Sequence, residues 1–345
     1  MAPGRRQRVM AAGAGRQAGE AGGVGEAGPA RRRGHAAMMG LILICVLGGH
    51  AAAPAPQASA AGPRRLTTDP AVDYYPSWSP DGSRIVFMSA RSGLGDLLVM
   101  PAAGEQNGPA VALVADAGVD DEPAWSPDGQ TIAFAGSRGG PPDIYLVPAV
   151  GGVPVRFTTH AAADGGPAWS PDGARLAFSS FRSGSQADIY VQPVAGGAAV
   201  RLTTHAANEF HPAWSPDGQW IAYQRLESGS FVLYKIPAAG GAPVRLTTAA
   251  GNQMEPSWSP DGQWIAYLGG ALGQGDIYAV PAEGGESINL TASPGDEGTP
   301  AWSPDGQRIA YHADDGGNLD VWVLDFPPVT PAGAASWGGL KARFR

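Results

Sequence analysis

Six short segments of this chain carry side chains that could do chemistry, and each stands just before a tryptophan. They hold Asp73, Tyr74 and Tyr75; Asp120, Asp121 and Glu122; Asp164; Glu209, Phe210 and His211; Met254 and Glu255; and Asp296 and Glu297. Carboxylates gathered with aromatic and imidazole groups suit a cation, a basic peptide or a polyhydroxy ligand. Paired carboxylates also serve acid–base chemistry, as in a polysaccharide lyase or a glycosidase. The plainer alternative is that they belong to the ordinary polar loops of an acidic protein.

What must position these segments is a repeat. Trp-Ser-Pro-Asp-Gly occurs at 78–82, 125–129, 169–173, 214–218, 258–262 and 302–306, at intervals of 47, 44, 45, 44 and 44 residues. Each unit reads as four short strands. A Pro-(Ala/Ser)-Trp strand enters Ser-Pro-Asp-Gly, whose Pro and Gly suit a type I turn. A second strand follows, such as 175–178 or 220–223, in which large residues (Ile132, Phe134) alternate with a small one (Ala133). Asp-Ile-Tyr strands at 143–145, 188–190 and 276–278 come third, and Arg-Leu-Thr-Thr strands, as at 201–204 and 245–248, come fourth.

Four strands in about 44 residues is the pattern of a β-propeller with one blade per repeat. The expected fold is therefore all-β, a six-bladed propeller spanning 63–326. Fourth-type strands fall near 64–68, 112–116, 155–159, 200–204, 244–248 and 288–292, one ahead of the first full unit, so the N-terminal strand should complete the last blade and close the ring. The repeated Trp are expected in the core between blades, and the repeated Asp in turn chemistry. The loops entering each innermost strand would then bring the fourteen residues named above to one mouth of the central channel. His160 and His205 follow Thr-Thr at equivalent positions and are explained by repetition; His211 reads as a hydrogen-bonding loop residue, and His312 falls outside the pattern.

Charge and composition narrow the partners. The net charge of −8 divides into +5 over 1–62, −16 over 63–326 and +3 over the tail 327–345. An acidic body repels phosphate backbones, so nucleic acid is not an expected partner. A single Cys excludes a disulfide framework and a multi-cysteine zinc site, and no metal or cofactor is expected.

The leader, 1–62, carries Arg31-Arg32-Arg33, an apolar run from Met38 to Leu47 and a small-residue stretch ending Ala58-Ser59-Ala60. That order predicts a secretory signal cleaved near Ala60. The run is shorter than the ~20 residues of a spanning helix, though Ala51–Ala53 lengthen it toward an uncleaved anchor. Cys45 follows Ile44, where a lipobox has a small residue, so it reads as part of the signal.

The unit Pro-(Ala/Ser)-Trp-Ser-Pro-Asp-Gly … Ile-Ala-Phe … Asp-Ile-Tyr … Gly-Gly … Arg-Leu-Thr resembles the WD40-like propeller repeat of the TolB family. Two units depart from it, with Val232 in place of the Asp of Asp-Ile-Tyr and Ala-Leu-Val-Ala-Asp at 112–116. The resemblance implies a periplasmic protein whose channel mouth docks a partner, as in the Tol–Pal envelope system. TolB proper carries an α/β domain ahead of its propeller, and the few residues between Ala60 and the first strand leave that domain out of the expectation here. Related propellers precede an α/β-hydrolase domain in prolyl oligopeptidase-like peptidases, but this chain has no Gly-x-Ser-x-Gly elbow and only 19 residues after 326. No P-loop or dinucleotide fingerprint occurs. The sequence thus points to an exported, monomeric, non-catalytic module, periplasmic or extracellular, that binds an envelope protein or peptide, a cation or a polyhydroxy ligand. The alternative is a propeller enzyme of lyase or glycosidase type using channel-mouth carboxylates.

Overall fold

A computed structural model describes residues 62–114, 118–271, 273–314 and 316–326. The expected leader and tail lie outside them. The described residues form six four-stranded antiparallel sheets, with one turn of 3-10 helix at Glu105–Asn107. In the third blade the strands run Asp164–Trp169, Arg175–Ser180, Asp188–Pro193 and Val200–Arg201, in that spatial order. Each first strand contacts the first strands of both neighbouring blades, so the six inner strands surround a central channel. None of the described helices is long and apolar enough to cross a membrane.

The small–large alternation of the second strands does what two-faced burial requires. Six apolar clusters lie between blades, one at each interface. Between blades two and three, Ala133 and Ala135 of one sheet meet Leu176, Phe178 and Tyr190 of the next. Between blades three and four, Ala177 meets Trp214, Ile221 and Tyr223. The small residue faces forward and the bulky pair faces back, so each sheet fits its neighbour around the ring. The repeated Trp lie in these interfaces, and the indole N–H groups of Trp78, Trp169 and Trp258 donate to backbone carbonyls of the preceding blade at 3.0–3.1 Å.

The Ser-Pro-Asp-Gly turns are self-sufficient. In the first, the Ser79 hydroxyl donates to Asp81 Oδ1 at 2.6 Å, the Ser83 N–H donates to the same oxygen at 3.0 Å, and the Arg84 N–H donates to Ser79 Oγ at 2.9 Å. The Ser79 hydroxyl and the Ser83 N–H hold Asp81 down to about 2, so the turn stays charged. Gly82 sits at φ +70°, which a side chain rarely adopts.

Outer strands are shorter than Arg-Leu-Thr-Thr suggests, because Thr side chains replace backbone pairing. Thr158 Oγ1 accepts from the Ile144 N–H at 2.9 Å, and Thr203, Thr247 and Thr291 repeat the contact on Ile189, Leu233 and Ile277. The Arg of the same motif pairs with the Asp of Asp-Ile-Tyr: Arg156 with Asp143 at 2.5 Å and Arg201 with Asp188 at 2.9 Å. Where Val232 replaces that Asp, Arg245 turns to Glu227 instead, at 3.5 Å.

The ring closes through Arg64–Arg65, which pairs with Leu319–Asp325 as the outer strand of the last blade. Arg65 reaches Asp320 at 2.7 Å, and the Thr67 hydroxyl accepts from the Val321 N–H at 3.0 Å.

Candidate functional site

Each inner strand breaks register at a bulge two to four residues before its Trp. A bulge re-aims one side chain out of the ladder. At each bulge a residue precedes a proline: Tyr75, Glu122, Gly166, His211, Glu255 and Thr299, standing before Pro76, Pro123, Pro167, Pro212, Pro256 and Pro300. All six adopt left-handed backbone, with φ between +48° and +61°. A non-glycine residue rarely adopts this conformation, and still less often before proline. Six equivalent kinks therefore present one residue per blade to the channel, where the twelve ring and proline residues line a cavity of about 140 Å³.

The ring is bound together across blades. Glu122 Oε2 accepts from the Gly166 N–H at 2.5 Å, and Ser179 Oγ accepts from the His211 N–H at 3.1 Å. Gln224 Oε1 then accepts from the Glu255 N–H at 2.8 Å, and Glu255 Oε2 from the Thr299 N–H at 2.7 Å. Across the ring, His211 Nε2 lies 2.9 Å from Glu122 Oε1. Burial works against a charge on His211, but the hydrogen bond and charge of Glu122, then the charge of Glu255, lift it to about 9. Glu122 is held below its ordinary range, its burial outweighed by the His211 hydrogen bond and charge and by the Gly166 N–H. Burial pushes Glu255 up against the opposing His211 charge and Thr299 N–H. Burial, with the Glu255 and Glu122 charges, also raises Tyr75.

The fourteen residues expected at the mouth divide into four groups. Tyr75, Glu122, His211 and Glu255 line the cavity. Asp73, Asp120, Asp164, Glu209 and Glu297, five residues before their Trp, are buried. Arg91, Arg138, Arg182 and Arg225 of the same blades pair with the first four at 2.7–2.9 Å. Tyr74, Asp121, Phe210 and Met254 stand between these positions and keep partial exposure. Of these, Asp121 is pushed up to about 7 by burial and by the charges of Glu122 and Asp120. Asp296 ties neighbouring blades together, accepting from the Gly275 N–H at 3.0 Å as Asn208 and Asn252 do for Ala187 and Phe231.

Sequence reasoning missed Gly166 and Thr299 as ring members and gave His312 no place. Its ring lies over Gly298, with Nδ1 2.6 Å from the Thr299 hydroxyl, and meets Tyr74 edge-on at 5.5 Å. Burial lowers it to about 4, so it is neutral and buttresses the ring. The detectable signal was the proline itself, two residues before every repeated Trp. His160 and His205 each accept a backbone N–H two residues on, at 3.1 Å, which is local loop chemistry. Among the described residues no group of three or more His, Cys, Asp and Glu is arranged to hold a metal ion.

Comparison with known proteins follows the same lines. No curated protein sequence matches the chain. TolB from Agrobacterium tumefaciens, as that protein is described, is 24% identical with a TM-score of 0.60, over 75% of this chain and 92% of that one. TolB from Acinetobacter baumannii is 22% identical with a TM-score of 0.56, over 74% of this chain and 63% of that longer one. An oligogalacturonate lyase from Vibrio parahaemolyticus is 14% identical with a TM-score of 0.53, over 76% and 93%. At such identities these likenesses speak to the fold alone. Residues 107–231, 160–271 and 206–327 match the TolB beta propeller domain, three overlapping stretches that together take in more than half of the chain. With the six repeats and their closed ring, this places the chain in the TolB beta propeller domain family.

Proposed function

We propose that this propeller is a non-catalytic binding module of the cell envelope, docking a protein or peptide over the channel mouth around the six-residue ring. The observation that carries the reading is the state of the ring's charged pair. Glu122 and His211 are spent on each other, one held ionised and the other protonated well above neutrality. A general acid or base works best with a pKa near the operating pH; neither member of this pair has one, and Asp121, pushed up to about 7, does not line the cavity. The cavity, at about 140 Å³, also falls below the ~300 Å³ from which small-molecule sites usually start. Such a recess suits one side chain or a chain terminus of a larger partner. The envelope location rests on the basic–apolar–Ala-x-Ala order of the leader.

The test is capture of partners from envelope extract by the wild-type chain and by a Glu122→Ala/His211→Ala/Glu255→Ala variant. A partner retained by the first and lost by the second is the expected result, with circular dichroism and melting showing the variant folded. Equal recovery from both would remove the ring from the contact surface. Turnover of an oligogalacturonide panel, abolished by Glu255→Gln, would overturn the non-catalytic reading in favour of a lyase.

A further inference from the structure

Four blades fill the same place with an arginine of their own, and the fifth leaves it open. In blades two, three and four a stacked ring pair lies beneath a guanidinium. The pairs are Phe134 with Tyr145, Phe178 with Tyr190 and Tyr223 with Tyr234, at 5.8, 6.2 and 6.1 Å between centroids. Arg138 stands 4.2 Å from the Tyr145 centroid, Arg182 4.8 Å from Tyr190 and Arg225 4.1 Å from Tyr234. In blade one, Arg91 lies 5.6 Å from the Phe87 centroid. Each arginine also pairs with the buried acid of its inner strand.

Blade five has the rings without the arginine. Tyr267 and Tyr278 stack at 5.6 Å and 22°, tighter than the sibling pairs. They pair across the sheet as Tyr223 and Tyr234 do, and Gln253 opposes Gly269 as Glu209 opposes Arg225. In blades one to three the arginine comes 18 residues after the acid, and the residue at that distance from Gln253 is Ala271. In place of the guanidinium is a cavity of about 280 Å³, lined by Tyr267, Tyr278, Gln253, Gly269, Glu286 and Ser287 among others.

Two features keep this cavity open. Gly269 is not in left-handed backbone, yet a Cβ there would stand 2.6 Å from Tyr278 Cδ2 and 3.1 Å from Tyr267 Cε2. Glycine therefore leaves the partly exposed Tyr278 ring uncovered, with Tyr267 buried behind it. Gln253 replaces the acid, and its amide is spent on the adjoining loop: Nε2 donates to the Ala249 and Gly251 carbonyls, and Oε1 accepts from Thr247. A buried Asp or Glu here would be an unpaired charge whenever the cavity stood empty, and neutral Gln removes that cost. The remaining carboxylate, Glu286, is exposed at the cavity's edge.

We propose that the blade-five cavity binds a guanidinium group supplied from outside the chain, on an arginine side chain of a partner or on a free guanidinium compound. The planar, weakly hydrated cation stacks on the Tyr278 face as the chain's own arginines do on Tyr145, Tyr190 and Tyr234, with Glu286 as its counter-ion. The site shares no residue with the channel ring and stands or falls separately from it.

The test is calorimetric titration of the full chain with N-acetyl-glycyl-arginyl-glycinamide and with L-arginine, using citrulline as the uncharged isostere. Binding of the tripeptide alone would assign a polypeptide source, and binding of L-arginine as well a free compound; citrulline is expected to bind neither detectably nor in competition. Ala271→Arg supplies an in-chain guanidinium at the position used by Arg91, Arg138 and Arg182, on an exposed residue whose replacement leaves the core untouched. It is expected to weaken binding at least about tenfold and to raise Tm. Glu286→Gln is expected to weaken binding without changing Tm. Absence of binding by both guanidinium probes, equal binding of citrulline, or undiminished binding to Ala271→Arg would overturn the proposal.

Discussion

Equivalent positions two steps apart on the inner strands meet opposite fates. Asp164 is fully buried and held by Arg182 at 2.8 Å, whereas Glu122, three residues before its Trp rather than five, turns into the channel. Removing one partner of a buried pair leaves an uncompensated charge, so Arg182→Ala is expected to cost roughly 3–5 kcal/mol, read as a lower urea midpoint. A cost near zero would mean that Asp164 is not dependent on its arginine. The ring pair makes a different prediction, in pH. His211 is raised from 6.5 to about 9 in the folded state, so its contribution to stability is fully present below pH 6.5 and is lost as pH rises through about 9. Glu122 is lowered, so its contribution is present above its ordinary 4.5 and is lost as pH falls into acid. NMR of the His211 ring protons should therefore titrate with a midpoint near 9, and Glu122→Gln should bring that midpoint down. An unchanged midpoint in the variant would separate the two residues. Which of Asp120, Asp121 and Glu122 faces the channel was not legible in the sequence, because a residue before proline ordinarily takes extended backbone and these take the left-handed form. The pairing of the buried acids was closer to the surface of the sequence, since an arginine follows Asp73, Asp120 and Asp164 at one fixed distance and Gln253 lacks it.

At the scale of the element, the outer strands show how a motif can read as a strand and serve as a clasp. Only the Arg of Arg-Leu-Thr-Thr lies in the two-residue strand Val200–Arg201, and the first Thr hydroxyl of the motif takes over the Ile189 N–H. In Thr203→Val the shape is kept and the Ile189 N–H is left buried without its acceptor. An orphaned buried donor costs about 1–3 kcal/mol, so denaturation of this variant should show a loss in that range. A loss below about 0.5 kcal/mol would mean that the ladder, and not the clasp, holds the outer edge. Blade one supplies the internal contrast. Its sequence departs from the motif at 112–116, and its outer strand extends over four residues, Val111–Val114, compensating with backbone pairing for the missing hydroxyl. Strand number, order and turn chemistry were thus readable from six imperfect copies, because turns and inter-blade packing are local to each repeat. Strand ends were less readable, because a side chain and a backbone group compete for the same donor.

The whole molecule depends on a closure that carries little ladder pairing. Two residues, Arg64 and Arg65, pair with the last blade, and around them sit the Arg65–Asp320 ion pair, the Thr67–Val321 clasp and Leu66, which is wholly buried between blades one and six. Stacked repeats alone do not require a ring; the strand from the far end of the chain ties the sixth blade to the first and covers an edge that would otherwise pair with another molecule. Two variants separate these roles. Leu66→Ala empties a buried site and is expected to cost about 2–5 kcal/mol while leaving the backbone clasp intact, so the protein should be less stable yet monomeric by light scattering. A chain beginning at Asp69 loses the strand itself. The edge at Leu319–Asp325 then faces solvent, and this form should associate with rising concentration, with faster amide exchange confined first to the sixth blade. If the truncated chain instead stayed monomeric with the melting behaviour of Leu66→Ala, the closing strand would act only through its buried leucine, and the ring would be held by blade packing alone.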